Sequence, residues 1–117
     1  MIKRGDLAHG DVVWVDFDPS IGHEYQNIRP AIVIQSNEQL RRSNLVTIIA
    51  LSSRLENMHG DDILIEASKE NNLARDSVAK MHYIATFDYR RFSKKIGRAD
   101  GVTMGKIKSY LAKHFDL

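Results

Sequence analysis

The sequence predicts a mainly β (α+β) domain, a small curled antiparallel sheet or barrel with short helical turns and one C-terminal α-helix. Three observations carry this. Short runs rich in Val, Ile and aromatic residues recur along the chain, each bounded by polar, Gly- or Pro-containing segments. Apolar residues at helical spacing occur only near the end, where Met104, Ile107, Leu111 and Phe115 line up with Tyr110. The 117 residues make one domain and leave no room for a second.

The elements follow in order. Residues 12–17, Val-Val-Trp-Val-Asp-Phe, are strand formers, and Asp18-Pro19-Ser20 stops them. Residues 18–29 hold Gly22 among polar groups and read as a loop. Residues 30–35 are almost continuously apolar, as in a strand buried on both faces. Asn37 is a candidate cap for a helical turn through Leu40. Residues 45–51 form a third strand and residues 62–66 a fourth. Ser68 is a candidate cap for one further turn of helix. Residues 76–87 make a fifth strand of irregular alternation, and 92–96 a short sixth. Asp100 stands four residues before Met104 and is the expected N-cap of the last helix, whose apolar stripe packs on the core.

Composition excludes several classes. With no cysteine there is no disulfide, no Cys-ligated zinc or iron–sulfur cluster and no thiol nucleophile. The longest continuous apolar run found, Ile48-Ile49-Ala50-Leu51, falls far short of the ~20 residues of a membrane helix. The start, Met1 to Asp6, has no apolar stretch behind its charges, so no signal peptide is expected and the protein reads as soluble and cytoplasmic. His9, His23, His59, His82 and His114 show no metal-ligand spacing, so neither metal nor cofactor is expected.

The net charge of +2 conceals an asymmetry. Residues 75–98 hold seven Lys or Arg against two Asp, whereas residues 1–28 hold two against five Asp or Glu. A basic segment binds nucleic acid or an acidic peptide, or else it is a salt-bridged strand edge guarded against aggregation.

Antiparallel pairing of the second and third strands brings Arg29 and Ser52 to one edge of the sheet, where the loop with His23 and Glu24 opens. Pro30 biases Arg29 to an extended backbone. An arginine fork beside a hydroxyl is a phosphate grip, although Arg29 paired with Glu24 or Asp18 would be purely structural. Lys80 and His82 are two apart and share a face in a strand. A cation beside an imidazole favours its neutral form, the form that acts as a base; the alternative is two polar residues on a solvated face.

The stretch Gly10-Asp11-Val12-Val13-Trp14-Val15-Asp16-Phe17-Asp18-Pro19, then Gly22-His23-Glu24, then Arg29-Pro30-Ala31-Ile32-Val33-Ile34, resembles the MazF/PemK family of toxin endoribonucleases. The likeness runs from Gly10 to near the C-terminus. It implies one domain over 1–117, with 1–9 as an N-terminal extension, and an SH3-like, CcdB-type curled barrel. It also implies a homodimer that cuts single-stranded RNA without a metal, and an antitoxin that inhibits through an acidic, disordered tail.

By the resemblance, Arg29 is the catalytic arginine, Ser52 the hydroxyl at a strand end, and His23-Glu24 the His-Glu pair of the PemK branch. Lys80 and His82 stand where that branch has an Arg-x-Asp pair. RNA contacts fall to Tyr25, Gln26, Tyr83, Arg90 and Arg91. Two departures stand out. Tyr25 replaces a Gln after the Glu, and His82-Tyr83-Ile84-Ala85 replaces an acidic-Gln-x-Arg segment. The implied reaction is attack by the ribose 2′-OH on its own phosphate, giving a 2′,3′-cyclic phosphate and a 5′-OH. His82 or Glu24 is then the base, His23 the acid, and Arg29 with Ser52 stabilises the phosphorane. Tyr25, Tyr83 and Trp14 are candidate stacking platforms, Trp14 being better read as core. Two other readings stand beside this one: an RNA-binding homologue with weak or no cleavage, and a CcdB-like gyrase poison whose action would survive truncation of Arg29.

Overall fold

The computed structural model describes residues 2–17 and 28–117. Its elements are β1 (Asp11–Asp16), β2 (Ile28–Val33), α1 (Asn37–Arg42), β3 (Leu45–Ser52), β4 (Ile63–Ile65), β5 (Ser77–Asp88), β6 (Phe92–Arg98) and α2 (Gly101–His114). Single 3-10 turns at Leu55–Asn57 and Tyr89–Arg91 add to them. The strands form one antiparallel sheet in the order β4-β5-β3-β2-β1-β6.

Strand alternation sends side chains to two cores, one on each face of the sheet. Val13, Val15, Ala31, Val33 and Ile48 fill one, inside the curl. Phe17, at the end of β1, meets Tyr83 and Phe87 of β5 edge-on, with ring centres 5.9 and 5.2 Å away. Non-neighbouring strands touch in this way only because the sheet rolls over. Val12, Ile32, Ile49, Leu51 and Met81 fill the other core, beneath Ile107 and Tyr110 of α2. No helix among the described residues is long and apolar enough to cross a membrane.

The expected elements are all present except the turn of helix at Ser68. There Ser68 Oγ accepts the Asn71 N–H and Ser68 O accepts the Asn72 N–H, but the chain then leaves through Asn72 at φ 55°. That left-handed backbone ends the turn before a helix can propagate. α1 is capped one residue earlier than expected. Ser36 Oγ accepts the Gln39 N–H at 3.2 Å, while Asn37 Oδ1 accepts the His9 N–H at 2.8 Å. Asp100 does cap α2, accepting the Thr103 N–H at 2.7 Å. Phe115 is 56% exposed, not core, because α2 ends at His114. Strand β2 starts at Ile28 and so includes Pro30. The ladder to β3 begins only at Ala31, so Pro30, with no N–H to give, lies where β2 has a single neighbour.

Two close fits tie the segment after β4 to the sheet. Arg98 donates its N–H to Glu70 O at 2.9 Å. At Gly97 an added Cβ would stand 2.4 Å from Asn71 O, so backbone packs directly on backbone. Gly97→Ala is therefore expected to cost roughly 1–3 kcal/mol, the usual range for overpacking. A urea titration checks this, the midpoint dropping with an unchanged slope; an unmoved midpoint would show that the contact yields.

Candidate functional site

Arg29 is placed by β2. It pairs with Val15 of β1, while the β2–β3 ladder ends at Ala31 and Ala50, two residues short of Arg29 and Ser52, which therefore lie at the same end of the two strands. The antiparallel pairing of these two strands, expected from strand counting, is present. On the far side of β3, Ser52 pairs with Val78 of β5.

Beside Arg29 lies a cavity of about 220 Å³. Trp14, Pro30 and Leu51 give it apolar walls, and Arg75, Asn72 and Ser53 add polar ones. Ser52 itself is 5% exposed and does not line the cavity. Its Oγ accepts the Arg54 N–H at 3.1 Å. Ser53, the first residue past β3, is exposed and reaches the cavity that Ser52 does not. Trp14 is half-buried against the cavity and does not belong to either core.

Lys80 and His82 stand elsewhere. They lie three and five residues along β5 from Ser77, roughly 10 and 16 Å at strand rise. Lys80 Nζ is 2.6 Å from Asp62 Oδ2 and donates also to Asn57 O at 2.8 Å. The Lys80 charge is therefore directed at a carboxylate and not at His82. Asp62 accepts in addition the N–H groups of Met81 and His59. Burial alone would raise the Asp62 carboxyl, but the Lys80 ammonium and these two amides outweigh it, so it sits below its ordinary 3.8.

His82 is exposed, with Nε2 4.0 Å from Asp61. The Tyr110 hydroxyl lies 3.4 Å from His82 Nδ1 and 3.1 Å from His114 Nδ1. Its single proton goes to one ring, and the other ring donates to it. Desolvation, then the charges of Asp61 and Asp62, push the Tyr110 phenol above 10, so it stays protonated.

Tyr83 is half-buried, edge-on to Phe17 on the inner face. Arg90 is exposed and clasps Asp88 through Nε and Nη2, holding that carboxyl down to about 2. Arg91 donates to Asp16 O at 3.2 Å and covers the Phe87 ring. His23, Glu24, Tyr25 and Gln26 lie outside the described residues, as do residues 18–27 of the loop expected over 18–29, whose last two, Ile28 and Arg29, are instead part of β2. Among the described residues no group of three His, Cys, Asp or Glu is gathered as for a metal ion.

Ser53 and Arg75 are cavity residues that sequence reasoning passed over. For Ser53 the signal was limited to its place beside Ser52 at the end of a strand run. Arg75 lies in a loop of no periodicity, and only the fold carries it to Arg29.

Residues 8–115 match the family described as PemK-like, MazF-like toxin of type II toxin-antitoxin system. The chain is similar to Endoribonuclease EndoA of Bacillus subtilis (strain 168), 29% identical over 105 residues and 90% of each chain. It shares its fold with MazF from Deinococcus radiodurans, with a TM-score of 0.80 at 20% identity over 95% of this chain and 97% of that one. An endoribonuclease from a mycobacterial species, solved in complex with its cognate antitoxin, also has this fold, with a TM-score of 0.69 at 18% identity over 95% and 94%.

The Asp62 cluster has a pH signature. Its folded pKa lies below the unfolded value, so its stabilisation is complete above 3.8 and is lost as pH falls through the lower folded value. Melting temperature followed from neutral pH to below pH 3.8 is expected to fall less steeply on the acid side for Asp62→Asn than for the parent. Parallel acid limbs would contradict the assignment.

Proposed function

Because the chain belongs to the PemK-like, MazF-like toxin family of type II toxin–antitoxin systems, we propose that it is the toxin component and an endoribonuclease that cuts single-stranded RNA. The observation that carries this is the cavity beside Arg29, where a guanidinium, a serine hydroxyl and apolar walls meet at one end of the sheet. A phosphodiester needs a cation and a hydrogen-bond donor at its oxygens, and a splayed base needs an apolar wall.

The reaction is transesterification. The ribose 2′-oxygen bonds to its adjacent phosphorus while a base takes the hydroxyl proton. The bond from phosphorus to the 5′-oxygen breaks as an acid protonates that oxygen. A 2′,3′-cyclic phosphate and a 5′-OH result, and no metal is required. Arg29 stabilises the charge that builds on the phosphorane, commonly the largest catalytic term. A guanidinium gives up its proton too reluctantly to serve as the acid. Ser52 ends β3 at the same end of the sheet as Arg29; its Oγ accepts the Arg54 N–H and keeps its own proton to donate. Ser53 adds a hydroxyl at the cavity itself. His82 does not line the cavity, which favours Glu24 over His82 as base, with His23 as the acid.

The protein works as a homodimer in the cytoplasm, where its RNA lies, and a cognate antitoxin with an acidic tail restrains it. A relative of this fold solved with its antitoxin supports the partner.

The test uses a long single-stranded RNA in EDTA with fragment ends mapped. Wild type is expected to leave 5′-OH ends at one short recurring sequence. Arg29→Ala is expected to be slower by roughly 10²–10³, the usual cost of removing one transition-state donor. Ser52→Ala and Ser53→Ala, run alongside, separate the two hydroxyls, and the one that acts shows the larger loss. Intact RNA with folded, dimeric wild type would overturn the proposal and make gyrase the next target.

A further inference from the structure

The wall of the cavity opposite Arg29 has a purpose of its own. It is formed by the segment between β4 and β5, which is held rigidly. Asn71 is 5% exposed and its side-chain amide joins three points of the chain. Asn71 Oδ1 accepts the N–H groups of Ser68 and Leu73, and Nδ2 donates to Glu66 O. The Asn71 N–H donates in turn to Ser68 Oγ. Asp76 Oδ1 accepts the Ala67 N–H, and Ser77 Oγ donates to Arg75 O. Gly97 lets β6 press against the same turn.

This fixed segment presents Arg75 to the cavity. Arg75 is exposed, and among the described residues its guanidinium has neither a hydrogen-bond nor an ion-pair partner. Its neighbour Asp76 is engaged by Ala67. Among the described residues that line the cavity there is no carboxylate, so Arg75, which shares this concave space with Arg29, meets no anionic side chain there. Trp14, Pro30, Leu73 and Ile96 line the same space. At about 220 Å³ the space is smaller than the ~300–1,000 Å³ of pockets that enclose a whole drug-sized ligand, and suits a single base.

We propose that Arg75 grips an RNA phosphate next to the one held at Arg29, with the base of the intervening nucleotide seated against Trp14. The inference rests on the ribonuclease reading and adds to it a second phosphate ligand and a base seat. Arginine suits the role because its fork holds phosphate oxygens in a plane, and a rigid backbone behind it lowers the ordering cost of binding. The aromatic and apolar walls favour RNA over an acidic peptide, which has no base to bury.

The probe is a short 2′-fluoro RNA of mixed sequence, which lacks the attacking hydroxyl and stays intact. Its affinity is measured against salt concentration for wild type, Arg75→Gln, Arg75→Lys and Arg41→Gln, the last removing an equal charge from α1. Arg75→Gln is expected to weaken binding roughly tenfold and to lower the salt slope by about 0.7. Arg75→Lys should recover most of the slope, and Arg41→Gln should leave it unchanged. Trp14 is the single tryptophan, so its emission reports the seat directly and should be quenched as RNA binds. If wild type binds RNA and Arg75→Gln matches it in affinity and slope, the Arg75 assignment fails while the ribonuclease reading stands. Binding without change in Trp14 emission overturns the base seat. If wild type binds no RNA, both fail. Poly-glutamate that needs Arg75 where RNA does not would reassign the wall to a protein partner.

Discussion

Ala31, Ile32 and Val33 are each sealed from solvent although they point to alternate faces of β2. A strand with apolar residues on both sides cannot set its register by burial alone, because a slip by one residue still buries carbon. What discriminates is fit. Ala31 and Val33 enter the core inside the curl, and Ile32 enters the one beneath α2. Interiors packed to crystal-like density do not accept the exchange of an alanine and an isoleucine. The Gly10 N–H donates to Val33 O and the Ile34 N–H to Thr47 O, which pins the far end of the strand. With the register held, Arg29 has one position, opposite the end of β3 and beside the cavity.

The basic segment shows how charge is apportioned once the chain folds. Lys95 and Arg98 stand 3.3 and 3.6 Å from Asp11 Oδ1, a carboxylate with no exposed surface whose other oxygen accepts the Ala8 N–H. That carboxylate is tolerated in the interior because two cations and an amide replace its water. Lys80 is matched by Asp62 and Arg90 by Asp88. β6, with Lys94 and Lys95 exposed along it, is an edge of the sheet, and lysines there discourage pairing with another chain. Most of the excess in residues 75–98 thus serves the fold. Arg75 differs because it precedes the sheet's ion pairs and faces the cavity instead.

Legibility in the sequence followed the range of the interactions. Strand runs were readable because alternation and β-branched residues act over a few positions, and Asp100 could be named as a cap because capping spans three. The Ser68 turn could not be told from a helix start, since the decision falls on Asn72, whose left-handed backbone depends on the packing of Asn71 beside Gly97. The antiparallel hairpin of β2 and β3 was legible because counting residues to its turn is nearly one-dimensional. The choice between Ser52 and Ser53 was not, because it needs to be known which face of β3 is buried at its last residue.

The chain alone determined the strand order of the hairpin around α1, the single helix at its end, and the residue types able to hold a phosphate. Those properties come from local periodicity and turn chemistry, which residues express with only near neighbours. Tertiary structure decided which of those residues meet. The curl of the sheet brings Phe17 to Tyr83, the segment after β4 carries Arg75 to Arg29, and Asp62 draws Lys80 away from His82. These are contacts between positions far apart in the chain, and their geometry is set by the packing of both faces of one sheet, which no short stretch of sequence contains.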